Sequence, residues 1–237
     1  MSAEEFLVWG GRGHAKVIRD LLALNQKRVV AVIDNDRDLP SPFNDVDIFY
    51  GEDGFRAFFD LRDSKVGAEL SLGGVVAIGG VKGKERVEIY EFLIREGLDV
   101  EALIHQSAII TSSAMIGKGS QVLANVFVGS DVSIEEFCIL NSSSSIDHEC
   151  TLGVGVHIAP GAVLAGEVKV EDYAFIGANA TILPGLKIGS GAIIGAGAVV
   201  TRDVPRGLCV VGAPARPLKI SQLEIRKRNG VADVERH

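Results

Sequence analysis

The most constraining feature of this sequence is an aliphatic residue that recurs at every sixth position for about a hundred residues. The series has seventeen members, from Ile104 to Val200, with no insertion, deletion or exception. In most repeats the residue two positions before each member is also apolar or small. An α-helix needs apolar positions spaced by about 3.6 residues, so a period of six excludes a helix in this region.

A period of six is instead typical of short strands joined by tight turns. Three hexads close one coil of 18 residues, so each inward residue stacks on its counterpart 18 positions later. Stacked coils bury a continuous core, as repeat architectures require. At about 4.8 Å per strand layer, five or so coils form a prism roughly 25 Å long. The sequence therefore predicts a three-faced parallel β-helix.

The preceding hundred residues differ in charge and in pattern. Residues 1–103 contain 13 basic and 19 acidic side chains, whereas residues 104–205 contain 4 and 9. Apolar runs at Phe6–Trp9, Val29–Ile33 and Val75–Ile78 predict strands. Glycine turns and apolar helices follow the first and third runs, an order that indicates a small parallel α/β unit of the Rossmann-like kind.

The glycine turn Gly10–His14 is a candidate phosphate-binding loop. Glycines let the backbone approach a phosphate, and a helix N-terminus offers it free N–H groups. Asp34, at the end of the second strand, is placed to bind a ribose hydroxyl or a base. The unit is half as long as a full NAD domain, which favours a mononucleotide or a nucleotide sugar. A purely structural turn is the alternative.

These patterns predict a small Rossmann-like domain for a mononucleotide or a nucleotide sugar at 1–103, a β-helix domain at 104–217 and a C-terminal tail at 218–237. The net charge of −7 and the 6% aromatic content argue against a nucleic-acid partner. The sequence has no run of 18 apolar residues and no basic signal-like start, so we expect no membrane partner. Three scattered cysteines fit a reducing compartment, which predicts a cytoplasmic protein.

A polar run at Asn141–Glu149 interrupts the otherwise bland repeats. His148 falls at a turn, so its imidazole faces outward and can accept a proton from an attacking amine or hydroxyl. Asp147 and Glu149 are both candidates to orient it. Gly166 lies one coil later, where its N–H can stabilise an oxyanion. No cluster of ligands predicts a metal site.

These residues resemble the hexapeptide-repeat nucleotide-aminosugar acetyltransferases, which include the bacillosamine-precursor N-acetyltransferase and the sialic acid O-acetyltransferase-like proteins. The motifs that carry the resemblance are Gly10–His14, Asn141, His148-Glu149, His157, Gly166 and Val211–Pro217. The resemblance spans the chain from the first strand to the last coil. It implies a left-handed β-helix, although parallel crossovers are generally right-handed.

The resemblance also implies roles for individual residues. His148 is the general base and Glu149 tunes it. The residues that meet acetyl-CoA are His157, Gly166, Ala178 and Ala196. The residues that hold the nucleotide sugar are Arg12, Gly13, His14, Asp34, Asn35, Gly79 and Asn141, and Arg12 stands where relatives often have a small residue.

The spacing of two histidines predicts an oligomer. His148 and His157 are nine residues apart, half of one coil, and therefore lie on opposite sides of the prism. If both meet one acetyl group, they come from different subunits. The resemblance implies a homotrimer with its active sites between subunits.

We therefore expect an acetyl-CoA-dependent N-acetyltransferase that acts on a nucleotide-linked amino sugar, a 4-amino-4,6-dideoxy sugar, by direct transfer through a tetrahedral intermediate. One alternative is a sugar O-acetyltransferase of the sialic acid type. Another is a non-catalytic nucleotide-sugar-binding protein. The nucleotide stays open among UDP, GDP and dTDP.

Overall fold

The computed structural model describes residues 3–66 and 71–218. A four-stranded parallel sheet with strand order β3-β2-β1-β4 begins the chain, and three helices cover it. The elements in chain order are β1 Glu5–Trp9, α1 Gly13–Leu24, β2 Arg28–Asp34, β3 Ile48–Tyr50, α2 Gly51–Val66, β4 Leu72–Val76 and α3 Gly83–Arg95.

Helices pack on both faces of the sheet. Successive residues of β1 point to opposite faces, so each face contributes its own set of buried side chains. Phe6 and Val8 pack with the apolar face of α1, whereas Leu7 and Trp9 pack with aromatic residues of α2 and α3. The result is a layer of helix, sheet and helices, in agreement with the predicted α/β unit. Among the described residues, no helix is both long and apolar enough to cross a membrane.

Two elements of this unit were not predicted, and one strand was misplaced. The short strand β3 and the mainly polar helix α2 give weak sequence signals. Strand β4 begins at Leu72, three residues before the predicted Val75, because Gly73 and Gly74 concealed its start. A Cβ on Gly73 would lie within 2.4 Å of the Phe6 ring, so close packing explains this glycine.

The second part of the chain is a prism with three parallel faces. Face 1 consists of β5 Leu103–Ile104, β8 Gln121–Val122, β11 Ile139–Leu140, β14 His157–Ile158, β17 Phe175–Ile176, β20 Ile193–Ile194, β22 Cys209–Val211 and β23 Arg216–Pro217. Face 2 consists of β6 Ile109–Ile110, β9 Phe127–Val128, β12 Ser145–Ile146, β15 Val163–Leu164, β18 Thr181–Ile182 and β21 Val199–Val200. Face 3 consists of β7 Met115–Ile116, β10 Ser133–Ile134, β13 Thr151–Leu152, β16 Lys169–Val170 and β19 Lys187–Ile188.

The register confirms the repeat derived from the sequence. Ser133 pairs with Thr151, and Ile139 pairs with His157, each 18 residues apart. The hexad aliphatic residues and the small residues before them form one continuous buried core. The fold is thus a left-handed parallel β-helix preceded by a Rossmann-like unit, as predicted.

The outward side chains give each face a different surface. The N-terminal unit covers Gln121, Ile139 and His157 on face 1, and all three are buried. The outward column of face 2 is largely apolar and is exposed or partly exposed, with Ile109, Phe127, Ser145, Val163, Thr181 and Val199 in that order. Face 3 presents mainly hydroxyl groups and lysines.

The last full coil is covered on every face by the chain that follows it. Val204 pairs with face 3 at Ile188, and β22 and the antiparallel β23 extend face 1. On face 2, Val199 donates to Gly212 and accepts a bond from Ala215. Of the predicted tail, only Leu218 is among the described residues.

Candidate active site

His148 lies in the corner turn between β12 on face 2 and β13 on face 3. Asp147 Oδ1 accepts the backbone N–H of His148 at 2.8 Å, so this carboxylate shapes the turn. Glu149 Oε2 lies 3.0 Å from His148 Nδ1. Of the two carboxylates considered from sequence, Glu149 is therefore the one that contacts the ring. It does so from a left-handed backbone conformation with φ +58°.

The contact with Glu149 determines how the ring can act. A carboxylate only accepts hydrogen bonds, so in the neutral ring Nδ1 carries the proton and Nε2 keeps its lone pair. The hydrogen bond to Glu149 raises the pKa of His148, and the charges of Asp147 and Glu167 add to the rise. The side chain is 51% exposed. The neutral ring is thus an oriented, accessible base with increased basicity.

Gly166 lies directly against this ring. A Cβ at Gly166 would come within 2.5 Å of both Cε1 and Nε2 of His148, so a larger residue would displace the imidazole. The backbone N–H of Gly166 takes part in no hydrogen bond among the described residues. The structure therefore brings together a base and a free N–H donor, as the 18-residue spacing predicted.

Three other predicted residues lie at the corner between face 1 and face 2. Asn141 follows β11, Ala178 follows β17 and Ala196 follows β20. Ala178 O accepts the N–H of Gly197, which places the two alanines on successive coils. Ala196 is exposed and Ala178 is partly exposed, so small side chains leave this edge open. Within one chain, face 2 separates this corner from His148.

His157 lies on face 1, beneath the N-terminal unit, and is 6% exposed. Its Nδ1 accepts the N–H of Gly80 at 2.8 Å, and its ring meets the edge of Phe175. Burial, followed by electrostatic repulsion from Arg86 and His14, lowers the pKa of His157 to about 3. His157 is therefore neutral, and within one chain it does not share a site with His148.

A cavity of about 370 Å³ opens at the carboxyl ends of β1, β2 and β4. Its walls are formed by Trp9, Gly10, Arg12, His14, Asp34, Asn35, Asp36, Ala77, Ile78, Gly79, Lys82 and Glu85. Five of the seven residues predicted to hold the nucleotide sugar line it, whereas Gly13 and Asn141 do not. Trp9, Lys82 and Glu85 also line the cavity but were not predicted, because no motif distinguishes them from ordinary core or helix-start residues.

Two carboxylates at the end of β2 are already engaged in this cavity. Asp34 accepts the N–H of Gly11 at 2.6 Å and that of Asp36 at 2.9 Å, one with each oxygen. Asp36 in turn pairs with Arg12 at 2.7 Å on the surface. Asp34 thus fixes the glycine turn in addition to facing the cavity.

His14 joins the cavity to the prism. Its Nε2 lies 2.7 Å from Gln121 Oε1, and Gln121 Nε2 donates to Val76 O and to the Tyr90 hydroxyl. Burial lowers the pKa of His14. The neutral ring donates from Nε2 to the amide oxygen, which leaves Nδ1 as an acceptor.

Comparison with known proteins identifies this arrangement. The bacterial transferase hexapeptide (six repeats) family model matches residues 167–202. The acetyltransferase domain of PglB from Neisseria gonorrhoeae, solved with acetyl coenzyme A, is 30% identical, with 92% of this chain and 100% of that chain covered and a TM-score of 0.77. PerB from Caulobacter crescentus, solved with CoA and GDP-perosamine, is 31% identical, with 92% and 98% covered and a TM-score of 0.78. The chain belongs to the hexapeptide-repeat sugar N-acetyltransferases.

A third structure agrees with this assignment. WeeI from Acinetobacter baumannii is 29% identical, with 90% of this sugar N-acetyltransferase and 99% of WeeI covered and a TM-score of 0.75. No match is found among curated protein sequences. The predicted resemblance and enzyme class are confirmed, and relatives solved with acetyl-CoA or CoA agree with the predicted co-substrate.

Two of the three cysteines of this sugar N-acetyltransferase are structural. Cys138 and Cys150 are fully buried in the prism core. Burial raises the pKa of Cys138 to about 12 and that of Cys150 to about 11. Among the described residues, no group of histidine, cysteine or carboxylate side chains could hold a metal ion.

Proposed function

We propose that this chain transfers the acetyl group of acetyl-CoA to the amine of a nucleotide-linked amino sugar, with His148 as general base. The observation that carries the proposal is the His148 ring, held by Glu149 through Nδ1 and lying with Nε2 against Gly166. This arrangement combines an unprotonated nitrogen, a carboxylate that stabilises the imidazolium and a free backbone donor.

In the proposed reaction, His148 Nε2 accepts a proton from the amine as the amine nitrogen attacks the thioester carbonyl carbon. The Gly166 N–H donates to the carbonyl oxygen as it becomes an oxyanion. The carbon–sulfur bond then breaks, and the imidazolium returns its proton so that CoA leaves as the thiol. The amine becomes an acetamide, and His148 regains its starting form.

Transfer without an acyl-enzyme suits the side chains of this chain. A covalent mechanism needs an activated thiol or hydroxyl. Cys138 and Cys150 are buried, and burial raises the pKa of both thiols. Burial also raises the pKa of Cys209. None of these cysteines is therefore suited to act as a nucleophile at neutral pH.

The nucleotide sugar is assigned to the cavity of the N-terminal unit. We propose residues 1–103 as the nucleotide-sugar-binding domain and residues 104–217 as the acetyltransferase domain. The glycine turn and the start of α1 supply backbone donors there, and Arg12 and Lys82 supply positive charge. GDP-perosamine, the amino sugar nucleotide bound in the PerB structure, supports a 4-amino-4,6-dideoxy sugar as the acceptor.

The separation of the site residues supports a trimer. In one chain, His148 lies at the corner of faces 2 and 3, whereas Asn141, Ala178 and Ala196 lie at the corner of faces 1 and 2. If three prisms turn face 2 toward a common axis, the corner of faces 2 and 3 in each chain meets the corner of faces 1 and 2 in its neighbour. His148 of one subunit then stands opposite Asn141 and the cofactor edge of the next.

The surface of face 2 is suited to such an arrangement. Its outward column exposes Ile109 at 65%, Val163 at 39% and Phe127 at 37%. A line of exposed aliphatic and aromatic side chains is typical of a surface that another chain covers. Ser145 and Thr181 interrupt the column with small hydroxyl groups that do not hinder close approach.

The proposed function is tested by free-thiol release from acetyl-CoA in the presence of UDP-, GDP- and dTDP-linked 4-amino sugars. We expect turnover with one nucleotide, and a fall of roughly 10²- to 10⁴-fold in kcat for His148→Ala, the contribution typical of a general base. His105→Ala, a loop histidine outside both sites, is the matched control.

Two results would contradict the proposal. Unchanged turnover in His148→Ala would remove this residue from the chemistry. Turnover with sialic acid or CMP-sialic acid alone, also tested, would show O-acetylation instead. Mass spectrometry of the product identifies the acetylated atom and, with the nucleotide panel, the acceptor.

A further inference from the structure

Arg86 in α3 is a fully buried guanidinium that no carboxylate neutralises. Its exposure is 0%, and no salt bridge among the described residues includes it. Its N–H groups donate to carbonyl oxygens only. A buried cation without a counter-charge is costly. Packing stability alone therefore does not explain why an arginine occupies this position.

The three main acceptors come from three separate segments of the chain. Nη1 donates to Ile78 O at 2.9 Å, in the loop after β4. Nε donates to Phe137 O at 3.0 Å and Nη2 to Gly155 O at 2.6 Å, in corner turns of successive coils between faces 3 and 1. The planar, five-donor guanidinium suits such divergent bonding. One side chain thus ties the loop at 77–80 to two coils of the prism.

The loop held by Arg86 determines which nitrogen of the neutral His157 ring carries the proton. Gly80 N–H donates to His157 Nδ1 at 2.8 Å, and a Cβ on Gly79 would lie 3.3 Å from the ring. Because Nδ1 accepts, the neutral ring carries its proton on Nε2. That Nε2 is buried and has no hydrogen-bond partner among the described residues. A buried donor without an acceptor costs free energy unless another molecule supplies one.

We propose that Arg86 is a positioning residue, which holds the 77–80 loop so that His157 presents its Nε2–H to an oxygen of a bound substrate. The inference rests on the proposed function only in taking that oxygen to belong to acetyl-CoA or to the nucleotide sugar. The charged and titratable groups that act on the ring are Arg86 and His14. The charge of Arg86 opposes a second proton on the His157 ring, and a proton on His14 would oppose it too, so the lone pair of Nδ1 stays available to the Gly80 N–H.

The first test is ¹⁵N NMR of the unliganded wild-type protein, with His157→Gln used to assign the signals. We expect His157 to be neutral at pH 7 with Nδ1 unprotonated and Nε2 protonated. Arg86→Lys keeps the positive charge but cannot make the three divergent hydrogen bonds of the guanidinium. In this variant we expect a mixture of the two neutral tautomers of His157. A wild-type ring protonated on Nδ1 would overturn the proposal, whether or not the chain acetylates an amino sugar.

The second test is a double-mutant cycle in the acetyl-transfer assay. We expect Arg86→Met to lower kcat/KM by about 10- to 100-fold, as misplaced binding groups do, and by less than about 3-fold in a His157→Gln background, because coupled residues are not additive. Separate KM values for acetyl-CoA and for the nucleotide sugar show which substrate loses its contact. Arg95→Met, on the exposed end of the same helix, is the matched control.

Equal losses in the two backgrounds would show that Arg86 acts independently of His157 and would overturn the proposal. If Arg86→Met does not fold, Arg86→Lys takes its place in the same cycle with the same criterion. Gln at position 157 retains an amide donor near the former Nε2, so His157→Gln is expected to be more active than His157→Ala.

Discussion

His148 and His157 lie nine residues apart in the chain, and their surroundings are opposite in every respect that governs an imidazole. His148 is exposed, contacts a carboxylate and has a raised pKa. His157 is buried, accepts a backbone N–H, lies near Arg86 and has a pKa lowered to about 3. The first suits proton transfer, and the second suits hydrogen-bond donation. The difference shows that the repeat provides positions, whereas the neighbouring side chains decide what a residue can do there.

The largest effect should come from closing the space in front of the base. In Gly166→Ala, the new Cβ would overlap Cε1 and Nε2 of His148, and the exposed ring would turn away. We expect kcat to fall about 100-fold, since displacing a catalytic group by about 1 Å costs that much, while the unfolding temperature stays unchanged. Steady-state kinetics and a thermal melt measure both. Full activity in the variant would mean that the ring does not work from this position.

The next effect concerns the contact that raises the pKa of His148. In Glu149→Gln the carboxylate charge is lost, so the pKa of His148 falls and the acid limb of the kcat–pH profile moves to lower pH. We expect the plateau to drop about 10-fold, a part of what a general base contributes. Asp147→Asn is the comparison variant, because it removes a nearby charge but no contact with the ring, so the acid limb should move less than in Glu149→Gln. An acid limb that does not move in Glu149→Gln would show that another group controls it.

A smaller change in activity tests whether the two histidines meet across a subunit boundary. His148→Ala and His157→Ala are each expected to be inactive, and refolding them together should restore activity at about a quarter of the sites in a randomly mixed ring. The measurement is turnover after co-refolding, with mixing checked by native mass spectrometry. No recovery in mixed assemblies would place the two residues in separate sites.

The smallest effect is on stability. An unfolded histidine has a pKa near 6.5, whereas folded His157 titrates at about 3, so its contribution is complete above 6.5 and is lost as the pH falls. We expect wild type to lose about 2 kcal/mol more than His157→Gln between pH 7 and pH 5. Urea unfolding at both values measures it. His148→Gln is the control, because a raised pKa gives the opposite sign, and equal slopes in wild type and His157→Gln would contradict the assigned burial.

The repeat region was predictable because the six-residue period fixes where each strand and each turn of the β-helix falls. Each hexad contributes one two-residue strand and one turn, so counting positions located His148 in a corner and Gly166 on the next coil. Helix α2 and strand β3 could not be found in this way, because their stability comes from contacts with the rest of the unit. The aromatic residues of these two elements are distant in sequence from the apolar residues they pack against, and the folded sheet brings them together.

The finer features of the site depend on contacts between distant segments. The residue pattern left Asp147 and Glu149 as equal candidates and the resemblance favoured Glu149; in the structure Glu149 contacts the ring, whereas Asp147 bonds the backbone. Arg86 had no signal at all, because an arginine near the start of a helix is ordinarily solvated. It becomes notable when two coils and a loop surround it, and no local pattern contains that information.

The covered end of the prism determines how copies of this chain can join. An open coil would offer unpaired strand edges to another molecule and could stack into a fibre. Here the groups on the last full coil are taken up by Val204, by β22 and β23, and by Gly212 and Ala215. Growth along the prism axis is thereby blocked at this end. In the proposed trimer the contacts between copies are sideways and repeat by rotation, so they close into an assembly of fixed size rather than a polymer.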